Sequence, residues 1–282
     1  MHGFSGAARL EAERHLVEGR VPATLDAALR TTPTYQIAPN AFLLRLPMGL
    51  AFHYQRGIGT VYERSAGVSD DEVALFFEGS VYGAIAWLNG LVPLHASAVL
   101  HDGHVYAFTG ASGEGKSTLV AALTQLGMAA CSDDVLVLDL ADPARISAIP
   151  GPKRLKLWED ALSLTGRTSA RAVRPGLDKY YVAEESFATS APLPLKRLYF
   201  LESAAGAEPG VTQVAGAQRF NWVRSAFYRP DFRGALAEQS RYFETAARLS
   251  QTVGIARFNR SREKAAFASG IAVIAADIRA AA

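Results

Sequence analysis

Apolar and polar positions change rhythm several times along this 282-residue chain. Near the N-terminus the apolar residues recur at helical spacing over 8–16, and a second short helix is expected over 23–29. Pro33 breaks that pattern. Over 41–64 the text turns to short β-like runs, Phe42-Leu-Leu-Arg-Leu46, Leu50-Ala-Phe-His-Tyr54 and Thr60-Val-Tyr62. Pro47, Gly49, Gly57 and Gly59 separate them, which predicts an antiparallel meander. Ser69 followed by Asp70, Asp71 and Glu72 is a helix start, because a serine hydroxyl caps and acidic groups favour the positive end of the dipole. That helix is expected to run to about Leu88 and to end at Asn89-Gly90.

The second half opens with a strand over 94–100, a turn centred on Asp102-Gly103, and a return strand over 105–109. A helical run over 119–126 comes after it. Two apolar runs, 128–131 and 135–140, are hinged on Ser132-Asp133-Asp134. A strand over 146–149, a Pro-Gly turn, the run from Leu155 to Asp160 and a short helix to Leu164 come next. Residues 165–192 carry Arg167, Arg171, Arg174, Asp178 and Lys179 and are expected to form an exposed or mobile loop. After a strand over 198–201 and a small-residue turn over 203–210, the chain is expected to be mostly helical, with helices over 217–227, 234–250 and 263–276 and a strand over 253–258. These elements make an α/β protein: a smaller α+β region over 1–91, then a larger domain with a mixed sheet and flanking helices over 92–282.

Composition narrows the class. Hydrophobic residues make up 49% and charged residues 20%, which suits a globular protein with a sizeable core. The single cysteine, Cys131, excludes an internal disulfide, so a reducing cytoplasm is the expected compartment. No signal layout and no membrane-length apolar run is found, so no membrane partner is expected. A net charge of +2 gives no reason to expect nucleic acid.

Chemistry is concentrated in Gly110-Ala111-Ser112-Gly113-Glu114-Gly115-Lys116-Ser117-Thr118. A glycine-rich loop between a strand and a helix lets backbone N–H groups approach an anion, and the helix N-terminus adds its positive end. This is the G-x-x-x-x-G-K-[ST] phosphate loop, in which Lys116 reaches the outer phosphates and the Ser117 hydroxyl serves Mg²⁺. The alternative is a Gly/Ser-rich turn that happens to hold a lysine. Adjacent carboxylates at a strand end alternate faces, so one of Asp133 and Asp134 can serve a metal while the other meets a hydroxyl. The alternative for this pair is a turn whose aspartates cap backbone N–H groups. His95, on the strand that pairs with the strand leading into the loop, is either a satisfied core histidine or a group that orients an aspartate.

Leu94-His95-Ala-Ser-Ala, the phosphate loop, and Cys131-Ser-Asp133-Asp134 together resemble the catalytic domain of HPr kinase/phosphorylase and its relatives. The resemblance covers about residues 92–200. It implies a P-loop fold related to phosphoenolpyruvate carboxykinase, Asp133 as general base on a serine hydroxyl, Asp134 as magnesium partner, and His95 as support for the base. The Glu-x-Arg-Gly-type signature of HPr kinase/phosphorylase is missing. The layout is closer to shorter HPr-kinase-like proteins, including kinases of lasso-peptide precursors. The resemblance therefore implies an ATP- and Mg²⁺-dependent serine kinase that acts on a peptide or small protein, and a homo-oligomer is expected. A carrier-protein or small-molecule kinase, and an ATP-binding regulatory module without transfer, are the alternatives. Lys153, Arg154 and Lys156 are candidate phosphate or carboxylate contacts, with a solvated edge as the alternative.

Overall fold

The computed structural model describes residues 6–151, 154–173, 176, 178–182, 188, 191–236 and 239–282, with backbone alone at 169–170, 233–235 and 239–241. Lys153 and Arg174 lie outside the described residues. The chain divides into two compact units: Met1–Pro93 with Tyr228–Phe243, and Leu94–Phe227 with Glu244–Ala282. The first unit is thus built from two separate stretches of sequence rather than one N-terminal block.

In the first unit, α1 (Gly6–Glu13) and β1 (Leu16–Glu18) precede β2 (Arg30–Thr31), β3 (Tyr35–Ala38), β4 (Ala41–Leu46), β5 (Leu50–Gln55) and β6 (Gly59–Arg64). They form one sheet in the order β1-β6-β5-β4-β3-β2. The expected meander is its centre. Phe42 stands opposite Tyr54, and Leu44 opposite Phe52. Two-residue alternation therefore buries Ile37, Phe42, Phe52 and Tyr54 on one face. Phe232, from the segment Pro230–Ala235, packs on that face with its ring 5.0 Å from Phe42 and 4.7 Å from Tyr35. The opposite face gathers Leu43 and Ala51 under Val21.

No helix forms over 23–29. The Leu25 N–H donates to Gln36 Oε1 (2.8 Å) and the Leu29 N–H to the Ile37 carbonyl (2.8 Å), so β3 takes the donors a helix would use. Ser69 does cap α2 (Asp70–Phe76), in a full capping box with Glu72. The expected single helix is broken by a π-helical turn, Phe77–Val81, before α3 (Tyr82–Leu88). Gly83 sits where a Cβ would come within 2.6 Å of the Tyr228 ring, so the missing side chain makes room for it.

The second unit contains β7 (Val92–His101), β8 (His104–Thr109), α4 (Lys116–Thr124), β9 (Ala129–Ser132), β10 (Val135–Asp139), β11 (Ser147–Ile149), β12 (Leu155–Trp158), α5 (Glu159–Thr165), β13 (Ser169–Ala172), β14 (Lys179–Val182), β15 (Leu193–Ala204) and β16 (Gly210–Gln213). After them come α6 (Gln218–Ser225), α7 (Pro230–Ala235) of the first unit, α8 (Gln239–Thr252), β17 (Gly254–Ser261), a 3₁₀ turn (Lys264–Ala266) and α9 (Phe267–Ala281). The main sheet runs β11-β10-β7-β8-β15-β17-β16, with β9 also on β7. It is mixed: β8, β15 and β17 are mutually parallel, while β7 is antiparallel to β8 and β16 to β17.

Phe108, Leu119, Leu123, Leu155, Tyr199, Phe258 and Ile274 share one buried core, which ties β8, α4, β12, β15, β17 and α9 together. The Phe108 and Tyr199 rings stack at 5.5 Å, and the Tyr199 hydroxyl and Arg197 both donate to Asp277 at 2.6 Å. Cys131 is buried in β9, and burial pushes its thiol up to about 12.

The structure corrects three further local expectations. Residues 165–192 are not wholly loop: β13 and β14 pair antiparallel with each other, and β14 pairs with β12. Alternation there is short and flanked by arginines, which hid it. The small-residue turn over 203–210 is shorter than expected, because β15 runs to Ala204 and β16 starts at Gly210. The helix expected over 234–250 is two pieces, α7 and α8. No helix among the described residues is long and apolar enough to cross a membrane.

Candidate functional site

β8 ends at Thr109 and delivers the chain into the glycine loop. Gly115 is the residue before α4 and has φ 70°, the left-handed region where a side chain is strained. A Cβ there would also come within 2.7 Å of Arg260 Nη2. Gly113 has φ 87°, and a Cβ there would meet nothing within 4 Å. The loop leads through these two left-handed glycines straight into the N-terminus of a nine-residue helix, whose positive dipole end favours an anion.

Lys116, the first residue of α4, is buried and folds back over the loop. Its ammonium donates to the carbonyls of Gly110 (2.9 Å) and Ala111 (3.1 Å). Burial holds its pKa below the usual lysine value. A cation pinned to the loop by two carbonyls marks where negative charge would be stabilised.

The acid pair lies beside this loop. Asp133 is buried (7% exposed) and accepts three hydrogen bonds. Oδ1 takes Ser117 Oγ–H at 2.6 Å and Ser97 Oγ–H at 2.8 Å, and Oδ2 takes the Lys156 N–H at 3.1 Å. A carboxylate is acceptor-only, so these donors fix its orientation. β7 supplies Ser97, α4 supplies Ser117, and β12 supplies the Lys156 amide; three elements converge on one side chain.

Asp134 behaves differently. Its φ is 71°, so the backbone turns sharply after Asp133 and swings the next carboxylate outward. Its side chain is 38% exposed, with Oδ1 3.4 Å from His95 Nδ1. His95 Nδ1 is also 3.2 Å from the Asp134 carbonyl. Both facing groups are acceptors, which assigns the hydrogen to Nδ1. Burial, then the nearby Lys116 charge, lowers the His95 pKa below its ordinary value, so the ring is neutral at pH 7. Thr109 Oγ1 donates to the His95 carbonyl (2.8 Å) and ties β7 to the end of β8.

The fold thus brings together Lys116, Ser117, Asp133, Asp134 and His95. It places Ser117 on Asp133 and His95 on Asp134. Sequence reasoning passed over Ser97 as a site residue, although it stands two residues from His95 within the same motif and so on the same strand face. It also passed over Glu114 and Arg260 as a pair: Glu114 Oε2 accepts from Ser203 (2.6 Å), and Arg260 donates to the Glu114 carbonyl. Lys156 is buried, while Arg154 lies over the Tyr181 ring at 5.4 Å.

Among the described residues no group of three or more His, Cys, Asp and Glu side chains is arranged to hold a metal. Mg²⁺ commonly takes one or two protein ligands and fills the rest with phosphate and water oxygens, and Ser117 with Asp133 fits that donor set. A cavity of about 440 Å³ opens along Ser112–Gly115 and Thr118. A larger one, about 800 Å³, lies in the first unit and holds neither the loop nor the acid pair.

No family model matches this chain, and no curated protein does. Among solved structures, the HPr(Ser) kinase/phosphatase from Coxiella burnetii is similar at 11% identity over 67% of this chain and 88% of that one, with a TM-score of 0.34. A superposition that loose fixes neither fold nor function.

Proposed function

We propose that this chain is an ATP- and Mg²⁺-dependent kinase that moves the γ-phosphate to a serine hydroxyl of a peptide. The motif resemblance points to a precursor peptide of the lasso type as the acceptor. One observation carries the reading: the 2.6 Å hydrogen bond from Ser117 to Asp133, which joins the phosphate loop to an acid pair whose second member faces outward.

In this reading the loop N–H groups and Lys116 bind the phosphates. Ser117 and Asp133 would hold Mg²⁺, which when bound neutralises charge on the phosphate oxygens. Asp133, already oriented by three donors, is poorly placed to collect a proton from an incoming hydroxyl. Asp134 is the better base: it is exposed, and His95 steadies Oδ1 while Oδ2 meets the acceptor. The acceptor oxygen bonds to phosphorus, the bond to the nucleoside diphosphate breaks, and the hydroxyl proton goes to Asp134. The roles of the two aspartates are therefore exchanged relative to those the resemblance implies.

Incubation with γ-labelled ATP, Mg²⁺ and synthetic serine-bearing peptides tests this. Label on serine in the wild type, and none with Lys116→Ala, is the expected result. Tight ATP binding without label on any hydroxyl acceptor would leave only a nucleotide-binding module.

A further inference from the structure

Beside the phosphate loop, the cavity of about 440 Å³ has a composition that phosphate binding alone does not explain. Three mutually parallel strands end at it. The loop after β8 contributes Ser112–Gly115, β15 contributes Ser203, and β17 contributes Arg260 and Ser261. Crevices beyond the carboxyl ends of parallel strands are where α/β folds place ligands. Here the rim is mixed in charge, with Arg260, Arg262 and Lys264 beside Glu114, Asp160 and Glu263, and the wall is apolar, through Trp158, Leu164 and Phe267.

Of the cations on the rim, Arg260 is the one that donates to the loop backbone, at the Glu114 carbonyl. Burial lowers its pKa, and its Nε–H has no acceptor among the described residues. Arg260 is half-buried and lines the cavity beside the phosphate loop, and a partly desolvated guanidinium there favours an anionic ligand. Trp158 is anomalous in another way. Its neighbours Leu155 and Leu157 are buried, but the indole is 44% exposed at the cavity wall. Lys179 lies 5.6 Å over the ring and restrains it. An exposed, restrained indole on the same cavity as Arg260 and the phosphate loop suits a ligand that is flat and aromatic at one end and anionic at the other.

We propose that this cavity seats the nucleoside of the triphosphate, with the base against Trp158 and the inner phosphate toward Arg260. This rests on the proposed function and names the part of that site which recognises the base. Contact with Trp158 is by ring surface rather than by paired donors and acceptors, so purine triphosphates in general satisfy it.

The test is isothermal titration of the full chain with Mg-ATP and with inorganic tripolyphosphate, which carries the phosphates without a nucleoside. In Trp158→Ala, ATP affinity should fall about tenfold or more while tripolyphosphate affinity moves by less than about twofold, the range expected for loss of one base–aromatic stack. Trp158→Phe should retain most of the ATP affinity. Because Trp158 is partly exposed, its removal leaves the core intact, and an unchanged thermal transition verifies that. Equal ATP affinity in Trp158→Ala, or equal losses for both ligands, overturns the nucleoside site and leaves the kinase reading standing. Wild type binding neither ligand, or Lys116→Ala binding both normally, sinks the kinase reading and this inference with it.

Discussion

Each unit of the molecule buries a carboxylate, and the two are used differently. In the first unit Glu13, 8% exposed, accepts from the Tyr54 hydroxyl (3.0 Å) and from the Gly57 N–H (2.9 Å). Asn89 in turn donates to the Tyr54 oxygen at 2.7 Å. Burial raises the Tyr54 pKa well above the usual tyrosine value, so the hydroxyl stays a donor. This cluster connects α1, β5 and the end of α3, and its partners are all structural. In the second unit the donors to Asp133 include the phosphate-loop serine, and the next residue is a second acid turned outward. Burial of a charged group is thus common to both; what separates a site from a strut is an adjacent group of the same chemistry that the fold leaves accessible.

The sharpest way to break this comparison is to neutralise the outward acid. Asp134→Asn should leave ATP bound and the thermal transition in place, while phosphate transfer falls about 10²–10⁴-fold, the usual contribution of a general base. Rapid-quench measurement of a single turnover reads the chemical step alone. Near-normal transfer in Asp134→Asn, with the deficit appearing in Asp133→Asn as base, would restore the division of roles that the motif resemblance implies.

Glu13→Ala probes the other side. It removes the acceptor for two buried donors and should destabilise the chain by about 1–3 kcal/mol in denaturant titration. ATP affinity measured well below the transition should not change. A loss of affinity without a loss of stability would make the first cluster part of the site.

The smallest effect concerns His95. Its pKa in the folded chain lies below the ordinary 6.5, so the unfolded chain binds more protons between those two values. Stability is therefore fully present above about pH 6.5 and is lost as pH falls, by at most about 1.4 kcal/mol per pH unit for this one group. His95→Gln should flatten that part of the stability profile in parallel denaturation series. An unchanged slope would show that another group carries it.

Much of this was legible in the order of residues along the chain. The meander between Ala41 and Arg64 consists of short apolar and aromatic runs punctuated by Pro47 and glycines, so strand and turn were both visible. The loop from Gly110 to Ser117 announced itself because its chemistry needs fixed residues at fixed spacing. The pairing of Ser117 with Asp133 was not visible, because α4, with β9 behind it, separates them along the chain and only sheet registry brings them together. β13 and β14 were hidden for a related reason: strands of four residues carry too little periodicity to stand out from a basic loop. Arg260 escaped attention because one arginine in a strand has no spacing to betray it, and its position is set by the parallel pairing of β15 with β17.

The buried thiol of Cys131 has a practical consequence. It is the only cysteine in the sequence, it is 2% exposed, and at neutral pH it remains protonated and a poor nucleophile. Maleimide dyes placed on an introduced surface cysteine would meet no competing reaction from the native chain. The wild-type protein is, in effect, a ready-made blank for attaching fluorophores or spin labels around the glycine loop.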